Sequence, residues 1–461
     1  MNWHDVLTAM LPEHLLLVGM LALLAHEVVT RRERGGWPIA VLATVGSTAA
    51  AIWLAAGGYA AEPFPGHYAV DPAASAAKAL LAALTVPVLL IARDDFEDTR
   101  FFVLALASLY GAQLLAGATS FPTLFLGIEI LSLPLYVMVL AAFLRPESAE
   151  AALKYLVLGG TATATLLMGV ALLYGWSATL DLGAFREALA SPAPLAAAGA
   201  ALVVAALGLK AALVPLHAWA PDAYEGASVP VTAYMATVVK AAVLVAMLRL
   251  VGDAPAIGPV VALLALLPLA SMVWGNVAAI RQDGFRRMIA YSSIAHAGYL
   301  FFALLGAPEG RSQAVMFYLA AYGVMNLLAF AALPRGVDDS TQDRLDALKG
   351  LWSRRPYAAV AIAVAMLSLA GLPPLPGFVA KFLVFRNVMA AGHPYYAVAG
   401  LVASYLGIYF YLRVVQYMFM SADEPGASRG RARRHAVIAA VLCAVPAVLI
   451  ALFPGWLLER L

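Results

Sequence analysis

Long apolar stretches separated by short polar loops recur along the whole chain. A helix needs about 20 apolar residues to cross the hydrocarbon core of a bilayer, and this length predicts fourteen spans. Their predicted bounds are 13–29, 37–57, 73–92, 101–119, 121–143, 152–176, 195–217, 229–251, 256–280, 288–306, 312–334, 358–390, 396–419 and 436–458. The pattern therefore predicts an all-α polytopic membrane protein.

Prolines interrupt the seventh and the twelfth predicted spans. Span seven contains Leu213-Val214-Pro215-Leu216, and span twelve contains Leu372-Pro373-Pro374-Leu375. Proline removes a backbone donor in mid-helix, and the carbonyl that it frees needs a neighbouring group or a water. We therefore expect both spans to be broken helices.

The two breaks belong to a weak internal repeat. Pro215 and Pro374 are 159 residues apart, Lys210 and Lys381 are 171 apart, and Glu129 and His296 are 167 apart. Paired broken helices in two halves are typical of an inverted repeat with an ion path at mid-membrane. We predict two inverted five-helix repeats at 101–251 (spans four to eight) and 252–420 (spans nine to thirteen). They follow a three-helix segment, 1–100, and precede a loop and the last span, 421–461.

Composition agrees with a membrane location and narrows the chemistry. Of 461 residues, 63% are hydrophobic and 12% are charged, which is too little polar surface for a soluble globule. A single cysteine, Cys443, excludes an intrachain disulfide and a Cys-ligated cluster. Neither G-x-G-x-x-G after a strand nor a Walker A loop is present, so no nucleotide site is visible.

Basic residues are distributed unevenly between the two sets of predicted loops. Eighteen lie in odd-numbered loops: Arg31, Arg32, Arg34, Arg93, Arg100, Arg145, Arg281, Arg286, Arg287, Arg335, Arg344, Lys349, Arg354, Arg355, Arg429, Arg431, Arg433 and Arg434. Only Arg186, Arg249, Arg311 and Arg460 lie on the opposite side. Cytoplasmic loops carry the excess of Lys and Arg, so we predict both termini on the outer side. Because the first span has basic residues after it rather than before it, we expect a retained span rather than a signal peptide.

Several ionisable residues fall inside predicted spans, above all Lys210, Lys240 and Glu129. A charged side chain at the centre of a membrane helix costs roughly 2.5–3.5 kcal/mol on insertion scales. These side chains should therefore face a protein or water-filled interior. Lys210 and His217 are seven residues apart, about two helical turns, so without the break they would share one face. That spacing is typical of a proton relay.

Four blocks of sequence resemble the antiporter-like membrane subunits of respiratory complex I. They are IEILSLPLY from Ile128, PLHAWAPDAYEGASVPV from Pro215, AYSSIAHAGY from Ala290 and LSLAGLPPLPGFVAKF from Leu367. The resemblance runs from span four to span thirteen. Tyr-Glu-Gly after Pro221-Asp222 and lysine at 381 are similar to one branch of that family. The chain departs from the family at Ser228, where proline is usual, and at Pro376, where a small residue is common.

The resemblance implies roles for the residues of the first half. Glu129 and Lys210 would form the interacting pair that gates a half-channel, and Lys240 would be the central connecting lysine. Lys154, at the cytoplasmic start of span six, would belong to the proton entry.

In the second half, the resemblance implies that Lys381 is the exit-side group and that His217 and His296 help along a hydrated axis. It also implies that this chain holds no cofactor, with FMN, iron–sulfur clusters and quinone carried by partner subunits. The implied partners are other membrane-arm subunits, the lipid bilayer and protons, without nucleic acid, in a bacterial inner membrane.

Two other functions remain open from the sequence. A subunit of a cation/proton antiporter or of a membrane-bound hydrogenase belongs to the same superfamily, and a proton-inactive scaffold is a third possibility. The many intramembrane ionisable residues argue against the scaffold. Lys78, Arg386 and Arg413 also lie in spans, where we interpret them as snorkelling or structural residues.

Overall fold

The computed structural model describes residues 3–31, 33–141, 145–254, 259–334, 343–421 and 433–460. Arg32, Arg335, Arg429 and Arg431 of the predicted cytoplasmic loops lie outside these ranges. Helices α1 to α8 are Trp3–Ala9, Leu11–Thr30, Trp37–Ala56, Pro72–Arg93, Thr99–Gly117, Phe121–Leu140, Pro146–Ser177 and Gly183–Ala190. Helices α9 to α15 are Pro194–Lys210, Trp219–Gly226, Val229–Tyr234, Lys240–Val251, Pro259–Ile280, Phe285–Phe302 and Pro308–Ala332. Helices α16 to α22 are Leu351–Arg354, Pro356–Ala370, Pro376–Ala390, Pro394–Tyr405, Ile408–Phe419, Arg434–Leu452 and Pro454–Leu458.

Shorter elements complete the described chain. A π-helix, Met235–Val239, joins α11 to α12, and 3-10 turns lie at Ala303–Leu305 and Leu345–Leu348. Strands β1 (Ala61–Phe64) and β2 (Tyr68–Val70) form an antiparallel hairpin. Neither this hairpin nor α8 was predicted from the sequence.

Most of the helices are membrane helices by length and composition. Within the described ranges, twelve are long and apolar enough to cross a bilayer, and α9 and α17 are shorter apolar helices that each end at a break. The chain is therefore a helical multi-pass membrane protein. The count of fourteen spans and the inverted repeat stay predictions.

Both predicted breaks are present. Helix α9 ends at Lys210 and helical structure resumes at Trp219, while α17 ends at Ala370 and α18 begins at Pro376. Each break contains a cis X-Pro peptide bond. Side chains satisfy backbone groups that the breaks release: the Val214 N–H donates to Ser271 Oγ (2.9 Å) and the Gly377 N–H to Ser368 Oγ (3.0 Å). Because these groups are paired, broken helices are tolerated at membrane depth.

The core of the molecule is formed by helices that are buried on nearly all sides. The segment from α11 to α12 and helices α14 and α15 are buried along almost their whole length, whereas less than a third of the residues of α2, α7 and α21 are buried. A helix that is apolar all round belongs in the interior. The core helices carry most of the buried polar side chains described below.

A buried ion pair ties the first membrane helix to the third. Glu13 on α2 and Lys78 on α4 are both fully buried, with Lys78 Nζ 2.7 Å from Glu13 Oε1. The Tyr68 hydroxyl of the hairpin donates to the same carboxylate at 2.5 Å. Burial first, and then the Glu13 charge, raises the pKa of the Tyr68 phenol well above its usual value, so it remains a donor. Lys78 is therefore held in a buried ion pair and does not snorkel.

Ion pairs connect the loops at each end of the bundle. At one end, which we call the basic end, they join Arg34 to Glu97, Arg287 to Asp222 and Glu225, Arg286 to Asp343, and Arg433 to Asp95. At the opposite end, Arg249 pairs with Asp71, and Arg311 donates to the carbonyls of Gly252 and Ala254. Every pair in the first group joins odd-numbered predicted loops or the ends of spans beside them.

Candidate functional site

Glu129 and Lys210 face each other between α6 and the end of α9. Lys210 Nζ lies 3.9 Å from Glu129 Oε1, longer than a direct hydrogen bond. The ammonium instead donates to Ser132 Oγ (3.2 Å) and to the Tyr136 hydroxyl (3.4 Å). Thr163 donates to the carboxylate at 2.6 Å. The two charges are thus close enough to interact strongly, while neutral hydroxyls occupy their hydrogen-bonding sites.

Lys240 is the first residue of α12, directly after the π-helix, and it is 4% exposed. Its ammonium donates to the carbonyl oxygen of Ser293 and to Ser293 Oγ (2.5 Å). In the described part of the chain no carboxylate pairs with it. Ser293 Oγ is further hydrogen-bonded to the hydroxyls of Tyr322 (3.0 Å) and Tyr224 (3.2 Å). A buried lysine whose partners are all neutral can lose or gain a proton without breaking an ion pair.

His296 lies three residues after Ser293 on α14, on the same helix face. Its Nδ1 is hydrogen-bonded to the Tyr318 hydroxyl (2.8 Å) and its Nε2 to the Tyr411 hydroxyl (3.0 Å). Tyr411 also contacts Ser292 Oγ at 2.6 Å. Both ring nitrogens therefore have a hydroxyl partner, which is the arrangement a proton shuttle requires.

Lys381 on α18 interacts with the broken end of α17. Its Nζ donates to the carbonyl of Ala370 (3.0 Å), the last residue of α17, and to Ser404 Oγ (3.1 Å). The partial negative charge of a helix C-terminus stabilises a cation there. The ammonium also lies 4.9 Å from the centre of the Tyr299 ring. His296 lies close enough to both Lys381 and Lys240 for their charges to act on it.

A row of aromatic rings lies between the surroundings of Lys210 and those of Lys240. The Tyr136 hydroxyl accepts a hydrogen bond from Lys210, and its ring packs edge-on against Tyr155 with ring centres 4.7 Å apart. Tyr155 stacks on Trp219 at 4.5 Å, and Trp219 lies 6.5 Å from Tyr224, which contacts Ser293. No continuous hydrogen-bond chain crosses this gap among the described residues. Transfer between the two lysines would need water or a change of rotamers.

Lys154 lies at the basic end and is 43% exposed. It pairs with Asp222 (2.7 Å) and Glu150 (2.6 Å), and Asp222 also accepts from Arg287 (2.8 Å). Burial alone raises the pKa of the Asp222 carboxyl, but the hydrogen bonds from Lys154 and Arg287 outweigh it and hold the pKa below its usual value. Lys154, Glu150 and Asp222 line an open polar cavity of about 700 Å³.

We call Lys210, Lys240 and Lys381 the lysine row. His217 does not lie with them. It lies in the break, partly buried, with its ring 6.3 Å from that of Trp274. Its Nδ1 is buried and has no hydrogen-bond partner in the described part of the chain. The break displaces His217 from the helix face that it would share with Lys210, and its role stays a prediction.

Sequence reasoning missed the hydroxyl partners. Ser132 and Ser293 lie three residues from Glu129 and from His296, so helical spacing could have identified them. Tyr411 and Ser404 come from the thirteenth predicted span, which carried no sequence signal for the site. Within the described ranges, no group of His, Cys, Asp and Glu is arranged to hold a metal ion.

Comparison with known proteins gives consistent matches. Residues 118–407 match the family model described as NADH:quinone oxidoreductase/Mrp antiporter, TM. The chain is 36% identical over 420 residues, covering 91% of its length and 90% of the relative's, to NADH-quinone oxidoreductase subunit N of Pelobacter propionicus.

Two solved structures are similar over nearly the whole chain. A chain of respiratory complex I from Thermus thermophilus with bound aureothin is 36% identical, with a TM-score of 0.83, and the match covers 97% of this chain and 98% of that chain. A chain of the Mrp complex from Dietzia sp. also has a TM-score of 0.83 but is 22% identical, covering 98% and 96% of the two chains. The second likeness shows the fold alone.

Proposed function

We infer that the chain works as a proton-translocating membrane subunit of an NADH–quinone oxidoreductase, because it belongs to the NADH:quinone oxidoreductase/Mrp antiporter family. It is an antiporter-like subunit of the subunit N type. Quinone reduction, with the FMN and iron–sulfur clusters that it requires, would take place in partner subunits. The neighbouring membrane-arm subunits would be its direct contacts.

The proposed proton path follows the buried ionisable residues in order. Protons enter at the basic end through the cavity beside Lys154 and Asp222, and they reach Lys210 under the control of Glu129. They pass to Lys240, then through Ser293 and His296 to Lys381. His217 would contribute only if the break rearranges toward Lys210.

One observation carries this proposal: α14 presents Ser293 to Lys240 and His296 to two tyrosines, one helical turn apart. Hydroxyls and imidazoles both donate and accept protons. A buried, purely structural lysine would be expected to have a carboxylate partner, as Lys78 does. The neutral surroundings of Lys240 fit a site that changes its proton occupancy.

The proposed topology places the basic end in the cytoplasm and both termini on the outer side. The ion pairs at the basic end support it, because they join only odd-numbered predicted loops or the ends of spans beside them. Fourteen spans in two inverted five-helix repeats would follow, with the breaks after Lys210 and after Ala370 in equivalent positions. In both, a lysine near the break is hydrogen-bonded to a serine, Ser132 or Ser404.

A cation/proton antiporter subunit is the second candidate. The likeness to the Mrp complex is at 22% identity, against 36% for the complex I chain, and it concerns the fold. No feature of the site favours sodium over protons, so we do not adopt this function.

Replacement of Lys240 tests the proposal. Lys240→Met keeps much of the side-chain volume and removes the titrating group. In membranes with a quantified amount of assembled complex, we expect proton pumping per NADH oxidised to fall about a hundredfold, the low end of what a positioned proton donor contributes. Arg386→Gln is the matched control, because Arg386 is a cation on α18 that faces outward beside Phe382. Pumping near wild type in fully assembled Lys240→Met complex would refute the path.

A further inference from the structure

An apolar groove runs along the surface between α15, α17 and α21. The part nearest the basic end, which we call the upper part, has a volume of about 630 Å³. Its floor is formed mainly by small side chains such as Ala331, Ala361 and Ala440. A second part of about 420 Å³ shares Leu328, Ala361 and Ala444 with the first and continues to Leu452. The two parts therefore form one continuous groove along the membrane helices.

The mouth of the groove lies at the basic end and carries three arginines, Arg354, Arg355 and Arg433. Arg433 is paired with Asp95, and Arg354 donates to backbone carbonyls, including that of Lys349 at 2.5 Å. The Arg355 guanidinium makes neither an ion pair nor a hydrogen bond with any residue in the described ranges. The mouth thus presents two cations, Arg354 and Arg355, that no carboxylate of the described residues neutralises.

Aromatic side chains place the mouth at the level of lipid headgroups. Tyr357, which lines the groove, is 91% exposed, and Trp352, five residues earlier in the chain, is 44% exposed. Tyr and Trp are enriched where membrane helices leave the hydrocarbon core. From Arg433 to Ala444 the helix rises about 16 Å, close to half of a hydrocarbon core of about 30 Å. The upper part is therefore about one leaflet deep.

We propose that this groove binds one anionic phospholipid, with its phosphate at Arg355 and Arg354 and an acyl chain along Ala361 and Ala444. Charge complementarity at the mouth and the apolar floor fit a molecule with an anionic head and a hydrocarbon tail. A helix of a neighbouring subunit would fill the groove without needing the arginines. The proposal concerns a surface away from the lysine row and does not depend on the proton path.

Photolabelling of the intact complex tests the site. The complex is reconstituted in phosphatidylcholine bilayers that contain phosphatidylglycerol with a photoreactive acyl chain, and a parallel sample contains phosphatidylcholine with the same chain. Labelled peptides around Ala361 and Ala444 are quantified by mass spectrometry. We expect strong labelling by phosphatidylglycerol and weak labelling by phosphatidylcholine.

Two variants and two controls make the result specific. Arg354→Gln with Arg355→Gln should weaken labelling by roughly fivefold for each arginine, and Ala444→Phe should block the chain. Arg281→Gln, an exposed cation at the same end, and Val445→Phe, on the outer face of the same helix, should leave labelling unchanged. Equal labelling by the two lipids would show an unselective lipid contact, and absent labelling would indicate that another subunit covers the groove. Either result overturns the proposal.

Discussion

The three buried lysines of the row differ in what surrounds their charge. Lys210 has a carboxylate at 3.9 Å, whereas Lys240 and Lys381 have only hydroxyl and carbonyl partners in the described chain. A pair of unit charges at about 4 Å is worth of the order of 4 kcal/mol at an effective dielectric of 20. A small movement of Glu129 would therefore change the proton affinity of Lys210 more than that of the others. In the proposed path, the pair of Glu129 and Lys210 would therefore be the most sensitive control point.

Tyr411→Phe tests the connection between His296 and its neighbours. The change removes the hydroxyl that contacts both His296 Nε2 and Ser292. Leaving a buried polar group unpaired costs about 1–3 kcal/mol, so we expect coupled proton pumping to fall by roughly tenfold.

The control is Tyr409→Phe, because Tyr409 is on the same helix and is 61% exposed. Pumping would be measured by quenching of a pH-sensitive dye during NADH oxidation. An equal effect of both changes would contradict a specific role for Tyr411.

At this scale the sequence predicted the ionisable residues and, through the resemblance, the pair of Glu129 and Lys210, but not the hydroxyl partners of these residues. A lysine or glutamate inside an apolar span is visible because its insertion is costly. A serine or tyrosine in the same place is inexpensive and common, so Ser404 and Tyr411 could not be distinguished from ordinary residues. The neighbours of His217 could not be predicted because the break separates it from Lys210, and its role stays a prediction.

Among the elements, the two broken helices determine where the lysines can find partners. The C-terminus of α17 gives Lys381 the carbonyl of Ala370, and Gly371 caps that helix with a φ of 89°. A residue other than glycine rarely adopts such a conformation. The cap and the lysine contact one another, because a Cβ at Gly371 would lie 3.0 Å from Lys381 Cδ.

Gly371→Ala should therefore affect proton transfer as well as stability. The positive φ alone should cost about 1 kcal/mol, and the added methyl would displace Lys381 from Ala370. Gly392→Ala is the matched control, since Gly392 also has a positive φ (84°) but open space around a Cβ. We expect similar thermal stability for both variants and a pumping defect only for Gly371→Ala. A defect of equal size in both would exclude the contact with Lys381.

The pair of Glu13 and Lys78 predicts a second result at the level of elements. Removing one partner of a buried pair typically costs about 3–5 kcal/mol, whereas replacing both with apolar groups is often neutral. Glu13→Gln should lower the melting temperature and the yield of assembled complex, and Glu13→Leu with Lys78→Met should recover both. Fluorescence-detected size exclusion after heating measures the fraction that stays assembled. No recovery in the double variant would show that the charges themselves are required.

Apolar helices and the two breaks could be predicted because the length of an apolar stretch and the position of a proline can be read from a short piece of sequence. The hairpin of β1 and β2 was not, since its strands are short and Tyr68 is positioned by Glu13, a residue of another helix. The interruption of the thirteenth predicted span between α19 and α20 was also missed. Gly407 packs there against Asn276, a tertiary contact that local patterns do not contain.

For the whole molecule, the proposed orientation in the membrane rests on the charges of the loops. Charge bias and the ion pairs at the basic end both favour cytoplasmic odd-numbered loops. The single Cys443 is 2% exposed, so a cysteine introduced elsewhere gives the main labelling signal.

Labelling with a membrane-impermeant maleimide checks the topology. Arg281→Cys should react only when the cytoplasmic side is accessible, as in inverted vesicles. Glu62→Cys, in the exposed hairpin at the opposite end, should react in intact cells. The unsubstituted chain is the control for Cys443. The reverse pattern would invert the proposed topology and, with it, the entry side of the proton path.

The π-helix Met235–Val239 determines which insertions and deletions the chain can tolerate just before Lys240. Each residue of an α-helix turns the chain by about 100°, and a π-helical turn accommodates one residue more than an α-helical turn. Deleting a single residue here would convert the π turn into an α turn and keep Lys240 facing Ser293, whereas inserting one would rotate Lys240 away from Ser293 while leaving every side chain of the row intact. Insertions in this short stretch should therefore be as harmful as loss of the lysine itself, and single-residue deletions much less so.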